Sequence, residues 1–195
     1  MPSVVEICNM ALGQLGSYRV EALTEATPQA LACKLYYAHA RDSVLRGYPW
    51  SFATARRTLA LLTSEEDEKW EYVYGYPVDC LQALYIVNVY GTEKLEFEVG
   101  YSSTAGTRVI YTDTEEAILV YSARVEDPNN FDPLFVESLY LYLATLLAHP
   151  LRADMALKRE IFQHYAQAIQ AAQARDAAEG SVKFPTDSTL KSVRA

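Results

Sequence analysis

Apolar residues recur with the spacing of an α-helix near the start of the chain, in two segments that begin with strong N-terminal caps. Ser3 and Glu6 have the S-x-x-E spacing of a capping box. Thr27 is followed by Pro28, and this pairs a capping hydroxyl with a preferred residue for the first helical position. The pattern therefore predicts one helix that ends near Gly16 and a second helix that begins at Pro28.

The second predicted helix carries two apolar stripes instead of one. One stripe consists of Leu31, Leu35 and Ala38, and the other consists of Cys33, Tyr37, Ala40 and Val44. Because one stripe is enough to attach a surface helix to its core, two stripes predict burial against more than one neighbour. Gly47 and Pro49 then predict the end of this helix.

The middle of the chain changes to the two-residue period of β-strands. Trp70, Tyr72, Tyr74 and Tyr76 occupy alternate positions, and a strand would place all four on one face. Residues 94–99, 107–112 and 117–125 are also strand-like, since they alternate or are rich in β-branched and aromatic residues. Short turn signals separate these segments, which predicts a single antiparallel meander.

Helical spacing returns after residue 130, where Asp132 and Pro133 again form a cap followed by proline. A strongly apolar helix is predicted from there to Pro150, which we expect to end it. A last helix is predicted over residues 152–178. Residues 181–195 show no periodicity and are predicted to form an extended tail.

These elements predict an α+β fold in which an antiparallel β-sheet lobe is inserted between helices 2 and 3 of a four-helix bundle. Residues 1–53 and 131–180 would form the bundle, residues 54–130 the inserted β lobe, and residues 181–195 the C-terminal tail. Trp50 and Phe52 follow the helix stop directly. We expect their rings to fill the seam between the bundle and the sheet.

Composition narrows the class of protein. The chain has 195 residues and a net charge of −8, which argues against a protein that grips DNA with its whole surface. Residues 65–100 alone hold nine acidic and two basic residues. No apolar run approaches the roughly 20 residues that span a bilayer, so no membrane association is expected. The three cysteines, Cys8, Cys33 and Cys80, have no CxxC pairing and are expected to be reduced.

The sequence contains no known catalytic motif, and neither a cofactor nor a metal is expected. His164 follows Glu160 by four residues, and Cys80 could meet a distant histidine, so a small soluble hydrolase stays an alternative. Fifteen tyrosines leave open a third class, a protein-binding module with a tyrosine-rich face. Proximity of Cys80 to a histidine in a concave pocket would favour the enzyme.

Four stretches together resemble one family of viral proteins. They are VEICNMALGQLG, ARDSVLRGYPWSFATARRTLAL, WEYVYGYPVDCLQALYI and FDPLFVESLYLYLATLLAHPL. In this order and spacing, over roughly residues 3–180, the chain resembles the tail tubular protein A family, the head–tail adaptors (connectors) of short-tailed bacteriophages.

The resemblance implies a structural role without enzymatic activity or cofactor. Such a subunit would be made in the host cytoplasm and would join the virion at the head–tail interface. It would form a ring, a dodecamer, between the portal protein and the tail nozzle protein. DNA would pass through the lumen of this ring during packaging and ejection.

A closed ring needs two different complementary surfaces on every subunit. The last predicted helix is rich in small alanines that allow close approach, and charged residues there would fix the register. We therefore expect a subunit or portal interface to involve Arg159, Glu160, Arg175 and Asp176 on this helix. In the tail, the expected contacts are Phe184, Leu190, Lys191 and Arg194.

Overall fold

The computed structural model of the protein describes residues 2–63, 67–89 and 93–179. Over this part of the chain the protein is mixed α+β, with four α-helices and two small antiparallel sheets. The predicted tail, including Phe184, Leu190, Lys191 and Arg194, lies outside the described residues.

The four helices are α1 (Val4–Gln14), α2 (Pro28–Arg46), α3 (Pro133–Arg152) and α4 (Met155–Glu179). The predicted caps at three helix starts are confirmed. Ser3 and Glu6 form a complete capping box, the Thr27 hydroxyl accepts from the Ala30 amide, and the Asp132 carboxylate accepts from the Leu134 amide. These side chains satisfy amide donors that have no partner within the helix.

Two helix ends show how glycine and proline act in this fold. After α1, Gly16 adopts a positive φ of 59°, a conformation that glycine reaches without steric cost. The prediction that Pro150 ends α3 is wrong, because the helix continues to Arg152 and stops at Ala153 in the left-handed conformation. Proline removes one amide donor but keeps a helical φ, so the last turn can continue past it.

The strands form two sheets where the sequence predicted one meander. They are β1 (Thr54–Thr58), β2 (Tyr72–Gly75), β3 (Cys80–Val87), β4 (Glu98–Ser102), β5 (Thr107–Thr112) and β6 (Ile118–Ala123). One sheet has the order β1-β6-β3 and the other the order β2-β5-β4, and every pairing is antiparallel. The prediction of a single meander is wrong because β6, the last strand, lies between β1 and β3 and pairs with both.

The strand bounds also differ from the predicted ones. Tyr72 and Tyr74 stack on one face of β2 with ring centroids 6.2 Å apart, but Trp70 and Tyr76 lie outside that strand. The alternation over 94–99 predicted a strand that begins too early, because β4 starts only at Glu98. Within the earlier part, Leu95 forms an isolated bridge to Ile86 of β3.

Buried apolar side chains form two separate clusters. The helical cluster draws on all four helices and also includes Trp50 and Leu81, whereas the sheet cluster is built around residues such as Ile86, Ile110 and Leu119. Helix α3 packs against each of the other three helices. It is therefore the central element of the helical cluster, and α1, α2 and α4 surround it.

Helix α3 is also the one helix in the described ranges whose length and apolar composition would suffice to cross a membrane. The expectation that no segment approaches this length and composition is wrong in that respect. Ten of its twenty residues are buried against the rest of the chain, as in the core helix of a globular protein.

Candidate assembly surfaces

The turn after α2 is held by a cluster of aromatic rings. The Trp50 ring is fully buried and meets the rings of Tyr48 and Phe135 edge-on, at centroid distances of 5.1 Å and 5.3 Å. Its indole N–H donates to the carbonyl of Val44 at 3.0 Å, which provides a partner for a carbonyl in the last turn of α2. The Phe52 ring packs on Phe135 at 5.0 Å.

This geometry refines the expected role of Trp50 and Phe52. Both rings pack in the helical cluster and neither belongs to the sheet cluster, so they lie on the helix side of the seam. Contacts between the layers are both apolar and polar, since Leu81 of β3 packs in the helical cluster and α2 adds polar groups. The Arg46 guanidinium donates to the Leu81 carbonyl of β3 at 2.6 Å.

A second polar contact joins α2 to the segment after β6. Asp42 pairs with Arg124 at 2.9 Å and with Arg41 at 2.8 Å, while Arg41 also reaches Glu126 at 3.5 Å. Arg41 is a buried residue, so these acidic partners compensate a charge held mostly away from water. No local sequence pattern indicates this network, because Asp42, Arg124 and Glu126 are far apart in the chain.

The end of α4 is fastened to the same turn. The amide of Ser51 donates to both carboxylate oxygens of Asp176, at 3.0 Å and 3.2 Å, and the Ser51 hydroxyl donates to the same carboxylate. The Tyr48 hydroxyl donates to the carbonyl of Gln173 at 3.3 Å. Asp176, expected at a subunit interface, therefore makes its contacts within its own subunit.

We expect Asp176→Ala to destabilise the fold by about 1–2 kcal/mol, because it removes a charged acceptor shared by an amide and a hydroxyl. Glu179→Ala removes an exposed acid from the same helix and is the matched control. Urea unfolding followed by far-UV circular dichroism measures both variants. Equal stability of the two variants would contradict the role assigned to Asp176.

One apolar stripe of helix α2 is exposed to solvent. One of its two predicted stripes is covered, since Cys33, Tyr37, Ala40 and Val44 are buried in the helical cluster. In the other stripe, Leu31 and Leu35 are 56% and 69% exposed, and Ala38 is exposed as well. The two stripes predicted two neighbours, and the described part of the subunit supplies a neighbour for only one of them. We call Leu31, Leu35 and Ala38 the α2 stripe.

A groove of about 440 Å³ lies between α3 and α4, with Gln14 of α1 at its margin. Its lining is mixed: the apolar members are Leu134, Tyr140, Leu141, Ala168 and Ala171, and the polar members include the exposed Glu137, His164 and Gln167. Small alanines on the α4 side leave room for a side chain from another molecule. We call this feature the α3–α4 groove.

The other three charged residues expected at an interface are exposed on α4. Arg159, Glu160 and Arg175 are exposed, and none of them makes an ion pair within the described ranges. Phe162 lies on the same helix and is 51% exposed. Their part in a subunit or portal interface stays a prediction.

The residues proposed for catalysis are far from forming a site. Cys80 is buried in β3, where desolvation raises the pKa of its thiol. The ionisable side chains near it include Tyr76, Arg108 and Asp79, and none of these is a histidine. His39, His149 and His164 all lie on helices, and no hydrogen bond joins a cysteine to a histidine in the described ranges.

His164 also lacks the pairing that its spacing allowed. It lines the α3–α4 groove, and no hydrogen bond or ion pair to Glu160 is formed. Cys8 and Cys33 are buried together between α1 and α2, where the Cys33 thiol and burial raise the pKa of the Cys8 thiol. Over the described residues, no group of three or more metal-ligating side chains comes together.

Comparison with known proteins adds no assignment. A scan of protein-family models finds none that matches this sequence, and a search of curated proteins finds no significant match. The resemblance to the tail tubular protein A family therefore rests on the four stretches quoted above and on their order along the chain.

Proposed function

We propose that the protein is a structural head–tail adaptor subunit of a short-tailed phage, which assembles with further copies into a ring between portal and tail nozzle. In this proposal α1–α4 act as a four-helix bundle, and the two sheets form a lobe inserted between α2 and α3. This role is the one implied by the resemblance to the tail tubular protein A family, and it requires no reactive pocket, cofactor or metal.

The observation that carries the proposal is the uncovered α2 stripe. A helix that exposes two leucines at i and i+4 loses the free energy that their burial would provide, about 1.5–3 kcal/mol for each side chain. A neighbouring subunit would bury them. Contiguous apolar positions on a helix are typical of protein interfaces, whereas scattered apolar residues need no explanation.

The α3–α4 groove supplies the complementary surface. A ring closes by rotation only if each subunit presents two different surfaces that fit each other. Leu31 and Leu35 would pack against Leu134, Leu141 and the alanines of the groove on the next copy. Lys34, exposed beside the stripe, would approach Glu137 at the wall of that groove. The contact is therefore head-to-tail.

Charge fits the proposed passage of DNA. The acidic surplus of residues 65–100 belongs to the β lobe, and further exposed acids at Glu115 and Glu116 follow β5. An acidic lining repels a polyanion, so DNA would slide through such a lumen without being held. In the proposed ring, the β lobe would therefore face the lumen through which DNA passes.

The direct test is to mix the purified protein with purified portal complexes of a short-tailed phage and to image the product by electron microscopy. We expect a ring of subunits, a dodecamer, stacked on the portal. The protein alone at the same concentration is the control, and it should show no stacked ring. Absence of binding to any portal, together with turnover of a small molecule by the protein, would overturn the proposal.

A further inference from the structure

The α2 stripe is bordered by a different polar residue along each edge. Lys34 and His39 are both exposed, as the stripe itself is. At about 100° of rotation per residue, Lys34 lies about 60° to one side of Leu31, and His39 lies about 80° to the other side. A surface that buries the stripe therefore meets Lys34 along one edge and His39 along the opposite edge.

The α3–α4 groove is asymmetric in the same way. Glu137 lies on its α3 wall and His164 on its α4 wall, and both residues are exposed in the single subunit. The other titratable groups near His164 are Tyr140 of α3 and Glu160, which lies one turn earlier on α4. From α1, the groove receives only the neutral Gln14. One wall is therefore acidic, and the other wall carries a group that can become cationic.

His39 has few charged neighbours of its own. Tyr36 precedes it by three residues on α2, and Asp42 follows it by three residues. Asp42 is already paired with Arg41 and with Arg124 from the segment after β6. Within the described ranges, His39 itself makes no hydrogen bond or ion pair. A proton on its imidazole would therefore add a charge without a dedicated acidic partner.

The proposed head-to-tail contact brings the two histidines to the same place. With Lys34 directed towards Glu137 on the α3 wall, the opposite edge of the stripe lies against the α4 wall. His39 of one copy then faces His164 of the next copy. With neutral imidazoles, the contact contains one pair of opposite charges. With protonated imidazoles, it places three cations around the same carboxylate.

We propose that acid weakens ring assembly through His39 and His164, which would face each other across the contact between neighbouring subunits. This inference rests on the proposed function, since it requires the α2 stripe to lie in the α3–α4 groove. Histidine gains its charge on acidification from about pH 8 to about pH 5. Two imidazolium groups repel each other across a partly dehydrated contact, so separated subunits bind these protons more readily than assembled ones. Lower pH therefore shifts the equilibrium towards separated subunits.

Sedimentation velocity of the full chain at high protein concentration tests this at about pH 7.5 and about pH 5.5, on either side of the histidine range. We expect self-association to be at least about tenfold weaker at the lower pH, because like charges then meet across the contact. Far-UV circular dichroism at both pH values verifies that the subunit stays folded. Equal association at the two pH values would overturn this inference and leave the proposed function standing. No association at either pH, with or without portal complexes, would instead contradict the proposed interface, and this inference with it.

Histidine variants identify the groups that are responsible. His39→Gln and His164→Gln each remove one of the two facing charges and should abolish most of the pH effect. His149→Gln is the matched control, because His149 is exposed near the end of α3, outside the stripe and the groove, and this variant should keep the full effect. A pH effect that persists unchanged in both His39→Gln and His164→Gln would overturn the inference.

A charge reversal at the same position tests the direction of the effect. His164→Glu places a carboxylate opposite His39, so a proton on His39 would create an attractive pair in place of a repulsive one. We expect self-association of this variant to become stronger on acidification, opposite to the wild type. Association of the variant that weakens with acid as much as that of the wild type would show that the two side chains do not face each other, and would overturn the inference.

Discussion

Trp50→Ala is expected to lower the free energy of unfolding by about 3–5 kcal/mol, the range for removal of a large buried aromatic side chain. The ring is fully buried, meets Tyr48 and Phe135 edge-on, and lies beside Phe52. Its removal leaves a cavity at the point where α2, α3 and the start of β1 meet. Guanidinium unfolding followed by far-UV circular dichroism measures the loss.

Trp50→Phe separates packing from hydrogen bonding at this site. Phenylalanine keeps an aromatic ring in the cluster but removes the indole N–H that donates to Val44. We expect it to cost about 1–3 kcal/mol, the price of leaving one buried acceptor unpaired. An alanine variant as stable as the wild type would contradict the central place of Trp50 in the helical cluster.

Helix positions were predictable because their signals are local. A capping side chain and its amide lie two or three residues apart, so Ser3, Thr27 and Asp132 marked three helix starts from the sequence alone. The end of α3 was missed by two residues, because a proline that disrupts one hydrogen bond does not prevent a last helical turn.

The arrangement of strands was not predictable in the same way. Alternation shows which residues share a face, but it contains no information about which strand lies alongside. β6 pairs with both β1 and β3, and this choice depends on contacts between residues more than thirty positions apart. The single predicted meander therefore became two sheets.

The candidate site was predictable only in part, because the sequence shows apolar surface but does not show what covers it. Two stripes on α2 indicated two neighbours, and only the fold reveals that Leu31 and Leu35 face outward. Asp176 looked like a free charge on α4 until Ser51 was brought to it from 125 residues earlier in the chain.

Leu31→Glu/Leu35→Glu is expected to weaken ring assembly by a factor of about a hundred or more, since two central apolar contacts would be replaced by charges. Both side chains are more than half exposed, so the free energy of unfolding should change by less than about 1 kcal/mol. Val78→Glu is the matched control, because Val78 is 91% exposed and lies outside the α2 stripe. Sedimentation velocity at high protein concentration and electron microscopy on portal complexes measure assembly.

A variant of the opposite surface makes the head-to-tail geometry testable. Ala171→Trp fills the α3–α4 groove and should also prevent assembly, while its own α2 stripe stays intact. The stripe variant, in turn, keeps an intact groove. When the two variants are mixed, the intact stripe of one meets the intact groove of the other, and growth stops there because no second pair of intact surfaces exists. We therefore expect a one-to-one heterodimer from two proteins that are monomeric alone. Full rings from either variant, or no heterodimer from the mixture when the wild type assembles, would place the interface elsewhere on the subunit.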